Sequence, residues 1–438
     1  VLKADNGGNA ISSTRQRVVI VGAGFAGIAA ARELSNTQFD VTLVDAHNFH
    51  TFLPLLYEVA TAGLDPADVA FPIRAIFSKA SNVSFRRGQI DKIDPLNRVV
   101  GFEDGSALPY DALIVATGAT ASFFSIKGAA QHCRPLYTLA DARALRNALL
   151  VTLDAADAHP EQHENGALSF VVIGGGATGV EMAGAIVELL DVSVRKDRLR
   201  IDPERTSVTI IDAGSRLLGA FVERASVYAY DEVSKRGIDV RFGAYVAAID
   251  NDAVHLSDGS SIRADLVVWA GGVTVEGTIA ATLPARRGRA GRVMVGHDLS
   301  VPGHPEIFVV GDAAGIPRDP QSDDLAPQLA QVALQSGRYA ARQLLAKLDG
   351  SESAPFAYKD KGAMATIGRR AAVAELEGPG PLRGLVVKGT IGWFSWLGLH
   401  LVYLVGVRNR VVVLLNWFWR YVGWASGPRI ILEDELPD

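Results

Sequence analysis

The sequence contains Gly22-Ala23-Gly24-Phe25-Ala26-Gly27, three glycines at the spacing G-x-G-x-x-G. Such a turn is built to hold a pyrophosphate. The first glycine permits a tight turn, the second lets backbone approach the phosphates, and the third lets helix and strand pack closely; the phosphate charge then sits at a helix N-terminus. The flanking residues supply that setting. RVVIV at 17–21 is a short β-branched run suited to a buried parallel strand, and IAAAREL after Gly27 has helical character. A second strand, DVTLVD, ends in Asp45, an acid placed to accept hydrogen bonds from ribose hydroxyls. Strand, helix and terminal acid together make the motif specific, which a lone glycine pattern is not.

The plan recurs. LSFVVI at 168–173 leads into Gly174-Gly175-Gly176-Ala177-Thr178-Gly179, then the helical VEMAGAIVELL, and SVTIID ends at Asp212. Here the acid lies 33 positions beyond the third glycine, against 18 for Asp45, and the basic stretch 192–206 reads as an insertion. An acid at Asp212 repels a 2′-phosphate and so favours NADH over NADPH. Each unit is followed by a strand running into a small-residue turn: Ala116-Thr117-Gly118 after the first, Ala270-Gly271-Gly272 after the second. Two such units point to two nucleotides.

These motifs need an α/β architecture of two Rossmann-like dinucleotide-binding domains, and 438 residues suffice for both. The expected division is 1–16 a disordered arm, 17–145 and 291–350 an FAD-binding domain, 146–290 an NADH-binding domain, and 351–438 a C-terminal region with membrane-associating helices. The arm is polar and lacks the apolar core of a signal peptide. A formal charge of −5 provides no basic field for nucleic acid. The single cysteine, Cys133, excludes an internal disulfide, a CxxC dithiol, a zinc ribbon and an iron–sulfur cluster. No metal is expected.

The chain resembles the two-dinucleotide-binding-domain flavoproteins and, among them, the type II (alternative, non-proton-pumping) NADH:quinone dehydrogenases. FVVGDAA at 308–314 is similar to the family's second flavin motif, in which Asp312, beside Gly311, faces the flavin's ribityl chain. NFHTFLPLLYEVA at 48–60 resembles a family stretch that runs past the flavin, with Leu53 and Glu58 standing where Gln is frequent. Ala330-Gln331-Val332-Ala333-Leu334-Gln335-Ser336-Gly337 matches the family's A-Q-x-A-x-Q-x-G segment at the quinone site. Gln331 and Gln335 are four apart and share a helix face. Pro327 stands near the start of that helix, whose N-terminus would stabilise an anionic reduced flavin. The resemblance implies tightly bound FAD, NADH as substrate, a membrane quinone (ubiquinone or menaquinone) as acceptor and a homodimer. Glu181, expected in the first turn of the second unit's helix, is implied to lie near the nicotinamide and to assist proton delivery. The lone cysteine argues against a sulfide:quinone or disulfide reductase of similar fold. The motifs leave open a pyridine nucleotide-disulfide-type oxidoreductase of another kind, or a redox-responsive flavoprotein.

The C-terminal part differs from the rest. Five of the six tryptophans, Trp393, Trp396, Trp417, Trp419 and Trp424, fall within 32 residues, and 382–431 holds six Arg or Lys and no acid. Residues 389–407 are nearly free of charge over 19 residues, just enough to cross a bilayer. An interfacial helix is the better reading. Trp393, Trp396, His400 and Tyr403 form one stripe and Trp417, Tyr421 and Trp424 another; Asn416 and Arg420 give the second helix a polar side. Aromatic rings and Arg side chains suit the headgroup layer of an anionic membrane. The expected location is monotopic, on the cytoplasmic face of the cell membrane or on an organelle inner membrane.

Overall fold

The computed structural model describes residues 15–163, 167–275, 277, 281–318, 324–351, 353–377, 384–422 and 429–431. The expected arm lies almost wholly outside them, as does Trp424; so do the side chains of Arg420 and Tyr421. Six helices bear on the site: α1 (Phe25–Glu33), α2 (Leu56–Ala60), α3 (Ala177–Arg195), α4 (Ala330–Leu348), α5 (Gly389–Tyr403) and α6 (Val407–Val422). The chain forms two compact units, each visited three times.

The first unit comprises Val1–Asn48, Ile73–Gly118 and Val275–Tyr358. Its sheet runs Ser300–Val301, His304–Val309, Ala112–Val115, Arg17–Val21, Asp40–Asp45, Val83–Arg87 across the strands, parallel except at the first pair. Val18–Val21 are buried on both faces, which explains why this strand is uniformly apolar rather than alternating. α1 packs against α4 at close range, and a Cβ on Gly337 would overlap the carbonyl of Ala26.

The second unit comprises Phe49–Pro72, Ala119–Thr274 and Lys359–Asp438. Its parallel sheet runs Cys133–Pro135, Leu266–Trp269, Ser169–Ile173, Ser207–Asp212, Ile238–Phe242. α3 has 19 residues where α1 has nine, and this longer helix contributes to the wide spacing between Gly179 and Asp212. The strands Gly362–Gly368, Ala371–Leu376 and Leu385–Lys388 form an antiparallel sheet. α3 lies on the first of them, where a Cβ at Gly184 would overlap the Ile367 carbonyl.

Beyond that sheet, the chain folds into α5, turns at residues 404–406 and continues as α6. The turn divides the uncharged stretch after 15 helical residues. Among the described residues no helix is long and apolar enough to cross a membrane.

Candidate functional site

The first fingerprint is shaped by backbone packing. Gly22 has φ +100° and sits on the carbonyl of Ala116, so the small-residue turn Ala116-Thr117-Gly118 lies directly under it. A Cβ on Gly27 would overlap the carbonyl of Gly22. Ala23 N donates to Asp45 Oδ2 at 2.7 Å, and His47 N to Asp45 Oδ1 at 2.8 Å, so the acid ties the loop to its own strand end. Gly24 is different. Its φ of −70° suits any residue, it is exposed, and a Cβ there would meet no protein atom within 4 Å. It is also the N-cap of α1, which has no side-chain cap and no acid in its first turn. A helix start with no side-chain cap beside open space fits a phosphate, the group a dinucleotide supplies. Phe25 and Ala26 begin the helix behind it.

The second fingerprint repeats this geometry. Gly174, at φ +113°, sits on the carbonyl of Ala270 and beside Gly271, and Gly179 closes on Gly174. Gly175 N donates to Asp212 Oδ2 at 2.5 Å and Gly214 N to Asp212 Oδ1 at 2.6 Å. Despite its wider spacing, Asp212 therefore occupies the place Asp45 has in the first unit. Gly176 caps α3 at φ −72°, a Cβ on it would again meet no protein atom within 4 Å, and Thr178 nearby is exposed.

In the first unit, Gly311 has φ +65° and its N–H donates to Ser336 Oγ at 3.0 Å, which binds the Gly311-Asp312 turn to α4. Gln328 Nε2 donates to the Asp312 carbonyl at 3.0 Å. α4 starts at Ala330, so Gln331 lies in its first turn. Pro327 precedes the helix by three residues and does not occupy its first turn, contrary to expectation. Gln331 and Gln335 are both part-exposed, whereas Val332, Ala333, Ser336 and Gly337 are buried. Arg292 was not foreseen. It is buried, donates to the Ala326 carbonyl at 2.6 Å and feels the charge of Asp312; burial lowers its pKa and Asp312 opposes that shift.

In the second unit, Glu181 lies just past the first turn of α3, not within it, so a helix-end carboxylate is not the explanation for it. Its Oε1 accepts from Thr366 N at 3.2 Å. Loss of water pushes its carboxyl up to about 8; Thr366 and Trp396 draw it back, and the charge of Glu58 pushes it further up. Glu58, 2% exposed, accepts from Trp417 Nε1 at 3.1 Å and from the Tyr57 hydroxyl at 3.3 Å. His400 stacks on Trp396 at 4.0 Å and meets the Trp396 carbonyl through Nδ1 at 2.7 Å; burial holds its pKa down to about 4. These tryptophans thus face the protein.

This corrects the expected orientation of the tail. Trp393, Trp396 and Trp417 are buried, and of the first stripe only Tyr403 is exposed. Two polar residues of α6 also point inward. Asn409 Nδ2 donates to the carbonyls of Ala67, Asp68 and Ala70, and Asn416 Nδ2 to Asp68 Oδ2 at 2.9 Å. The outward face carries Val407, Val411, Leu414, Leu415 and Phe418, at the i, i+4, i+7, i+8, i+11 spacing of one helix stripe. Ile391, Phe394 and Val402 are exposed on α5.

Residues 16–337 match the family model of the pyridine nucleotide-disulphide oxidoreductases. Over 96% of its length the chain is 34% identical to the type II NADH:quinone oxidoreductase Ndh of Mycobacterium tuberculosis, spanning 91% of that protein. It is 36% identical to the related NdhA of the same organism, over 96% of this chain and 90% of that protein. The chain belongs to the type II NADH:quinone oxidoreductases. The fold agrees: the structure of Plasmodium falciparum NDH2 in complex with NADH superposes at a TM-score of 0.83 and 20% identity, covering 95% of this chain and all of that one.

For a type II NADH:quinone oxidoreductase, the unforeseen residues are instructive. Glu58 sits inside LLYEVA, an apolar run with one acid, and that is a sequence signal for a buried carboxylate. Trp417 and Asn409 gave no such signal, since nothing in a helix pattern says which stripe turns inward.

Proposed function

We propose that the chain is an FAD-dependent NADH:quinone oxidoreductase that passes two electrons from NADH to a membrane quinone without proton pumping. One observation carries the nucleotide part: in each fingerprint the middle glycine has an ordinary φ and a Cβ on it would meet no protein atom within 4 Å, so its missing side chain leaves room for a ligand. Gly22, Gly24, Phe25, Ala26, Gly27, Asp45, Ala116, Thr117, Gly118, Gly311, Asp312, Ala330 and Gln331 are assigned to FAD. Gly174, Gly176, Thr178, Gly179, Glu181, Asp212 and Gly271 are assigned to NADH.

Bound FAD supplies the chemistry of accepting a hydride from NADH and passing two electrons on to the quinone. The protein supplies position and charge. The uncapped starts of α1 and α3 hold pyrophosphates, and Asp45 and Asp212 fix the loops against their strands. Asp212 also places a negative charge where a 2′-phosphate would go. Gln331 and Gln335 offer amides on one face of α4 for a quinone carbonyl. Glu181 holds a proton near neutral pH, since the hydride accounts for only one of the two hydrogens that quinol gains. His400, held neutral, brings no competing charge to this region.

The quinone is a lipid-phase molecule, and the outward apolar face of α5 and α6 suits a bilayer surface. Its attachment is peripheral, on the cytoplasmic side where NADH is found; pairing of two copies through the same helices is compatible with it. Leu415→Asp should release the enzyme from liposomes in a flotation assay, and unchanged flotation would refute lipid attachment by this face.

Stopped-flow spectroscopy tests the whole reading. NADH should bleach the bound flavin, and added quinone should restore its colour. In Gln331→Ala the second phase should slow at least about tenfold while the first persists. Failure of NADH to bleach the wild type would favour a binding module instead.

A further inference from the structure

The overall reaction is NADH + H⁺ + quinone → NAD⁺ + quinol. Two electrons and one hydrogen leave NADH as hydride, and the second hydrogen enters as a proton from solvent. A group that holds this proton at neutral pH is needed, and an isolated glutamate, with a pKa of about 4.3, does not hold it. The second unit contains a buried carboxylate, Glu58, whose charge acts on Glu181, and that carboxylate is fastened by the tail.

We propose that Glu58 is a positioning residue: fastened by Trp417, its buried carboxylate adds to the loss of water that keeps a proton on Glu181 for quinol formation. This rests on the reading of Glu181 as the proton-holding residue. Trp417 Nε1 and the Tyr57 hydroxyl both donate to Glu58 Oε1, which favours a charge at position 58. Two carboxylates that feel each other's charge resist ionising together, so a charge held at Glu58 favours the proton on Glu181.

The surroundings leave this pair to itself. α3 presents Glu181 and β-strand 362–368 presents Thr366; Glu58 is the only charged group with a resolved effect on Glu181 among the described residues. α5 presents Trp396 and His400, the latter neutral at working pH. Residues 139–158, the helix packed on α2, present buried Arg146, which acts with Asp65 and Arg143. α6 presents Asn416 and Trp417, and Asn416 is committed to Asp68, whose carboxyl is raised by burial and opposed by Arg408. The link has a structural consequence. Trp417 lies on the same helix as Asn409, which clamps residues 67–70, so seating of the tail and the charge at Glu58 are joined through one side chain.

The test is a pH titration of the protonated-carboxyl infrared band in the FAD-loaded enzyme, alongside the pH profile of quinol formation. Glu58→Gln keeps the shape and an acceptor for Trp417 but removes the charge. The Glu181 midpoint should fall by at least about one unit, with the alkaline limb of the profile moving by the same amount. Trp417→Phe keeps an aromatic ring but removes the N–H donor, so Glu58 takes up a proton more readily and the Glu181 midpoint falls as well. A midpoint unmoved in both variants overturns the proposal. Glu181→Gln separates the two readings. Loss of the band with unimpaired quinol formation would refute the role of Glu181, whereas the shifts in the other two variants would still report the coupling.

Discussion

The two glycine fingerprints are built alike and differ in what each glycine is for. In both, the first glycine has a positive φ and rests on a carbonyl of a neighbouring strand end, and the third closes on the first. Those glycines answer to the protein. The second glycine answers to nothing in the protein, because Gly24 and Gly176 have ordinary φ and empty space where a side chain would stand. The motif therefore combines two positions fixed by packing with one that packing leaves open. The loops differ at one position. A Cβ on Gly175 would come within 2.8 Å of Leu217 and 3.0 Å of Asp212 Oδ2, whereas the first loop accommodates Ala23. The second loop is the more tightly covered of the two.

The sharpest way to break this division is to add one methyl at each kind of position. Gly27→Ala and Gly179→Ala force a Cβ into a backbone carbonyl and should cost about 3 kcal/mol of stability. Gly24→Ala and Gly176→Ala should change stability by no more than about 0.5 kcal/mol. They should nevertheless weaken nucleotide binding at least about tenfold, about 1.4 kcal/mol. Gly24→Ala should act on flavin retention and Gly176→Ala on the apparent affinity for NADH. Chemical denaturation paired with flavin release and NADH titration measures both. A Gly24→Ala protein that keeps its flavin as tightly as the wild type would show that the open space has no ligand role.

Much of this was legible in the sequence because a close-packed turn leaves a local mark. Gly22, Gly27, Gly174 and Gly179 follow from spacing, and the strand-ending acids from the apolar runs before them. Asp212 was legible despite its distance, since the longer α3 moves the next strand along the chain without changing where that strand ends. The tail was legible only in part. α6 has two usable stripes, and periodicity records both without saying which is inside. The choice rests on partners distant in sequence: the carbonyls of 67–70 for Asn409, Asp68 for Asn416 and Glu58 for Trp417. With these polar groups satisfied inward beside Val413 and Trp417, a second apolar stripe, Val407, Val411, Leu414, Leu415 and Phe418, is left outward. Arg292 was invisible for the same reason, its partners Ala326 and Asp312 being remote in sequence.

Asp45 and Asp212 hold their loops through the same pair of oxygens, so they sharpen the comparison at the level of charge. Asp212→Asn preserves one acceptor oxygen for the loop and removes the negative charge. The ratio of kcat/KM for NADPH to that for NADH should rise about tenfold, equivalent to about 1.4 kcal/mol. Asp45→Asn should leave this ratio unchanged and act on flavin retention instead. Steady-state kinetics with both nucleotides separates the two acids, and an equal shift in both variants would erase the distinction between an FAD loop and an NADH loop.

The smallest difference lies at the opposite ends of the sheets, where the repeat continues. Asp111 accepts from Arg17 N at 2.8 Å and from the Arg17 guanidinium; Asp265 accepts from Ser169 N at 2.7 Å and from Arg263 at 2.9 Å. Each acid thus fastens the start of the strand that leads into its fingerprint. Asp265 is the less exposed, at 13% of its side chain against 38% for Asp111. Removing a more buried acceptor costs more, so Asp265→Asn should destabilise by about 1.5 kcal/mol and Asp111→Asn by about 0.5 kcal/mol at neutral pH. The Asp111 term has a definite pH sign. The Arg17 guanidinium beside it, aided by the Arg17 N–H, holds its carboxyl below the usual range against a smaller effect of burial. Its contribution is therefore complete above the unfolded-state pKa of about 3.9 and fades as pH falls through the lower folded value. Urea unfolding of the wild type and Asp111→Asn should give curves that differ at pH 7 and converge below about pH 3. Curves that stay apart in acid would mean that shape, not charge, makes Asp111 useful at this strand start.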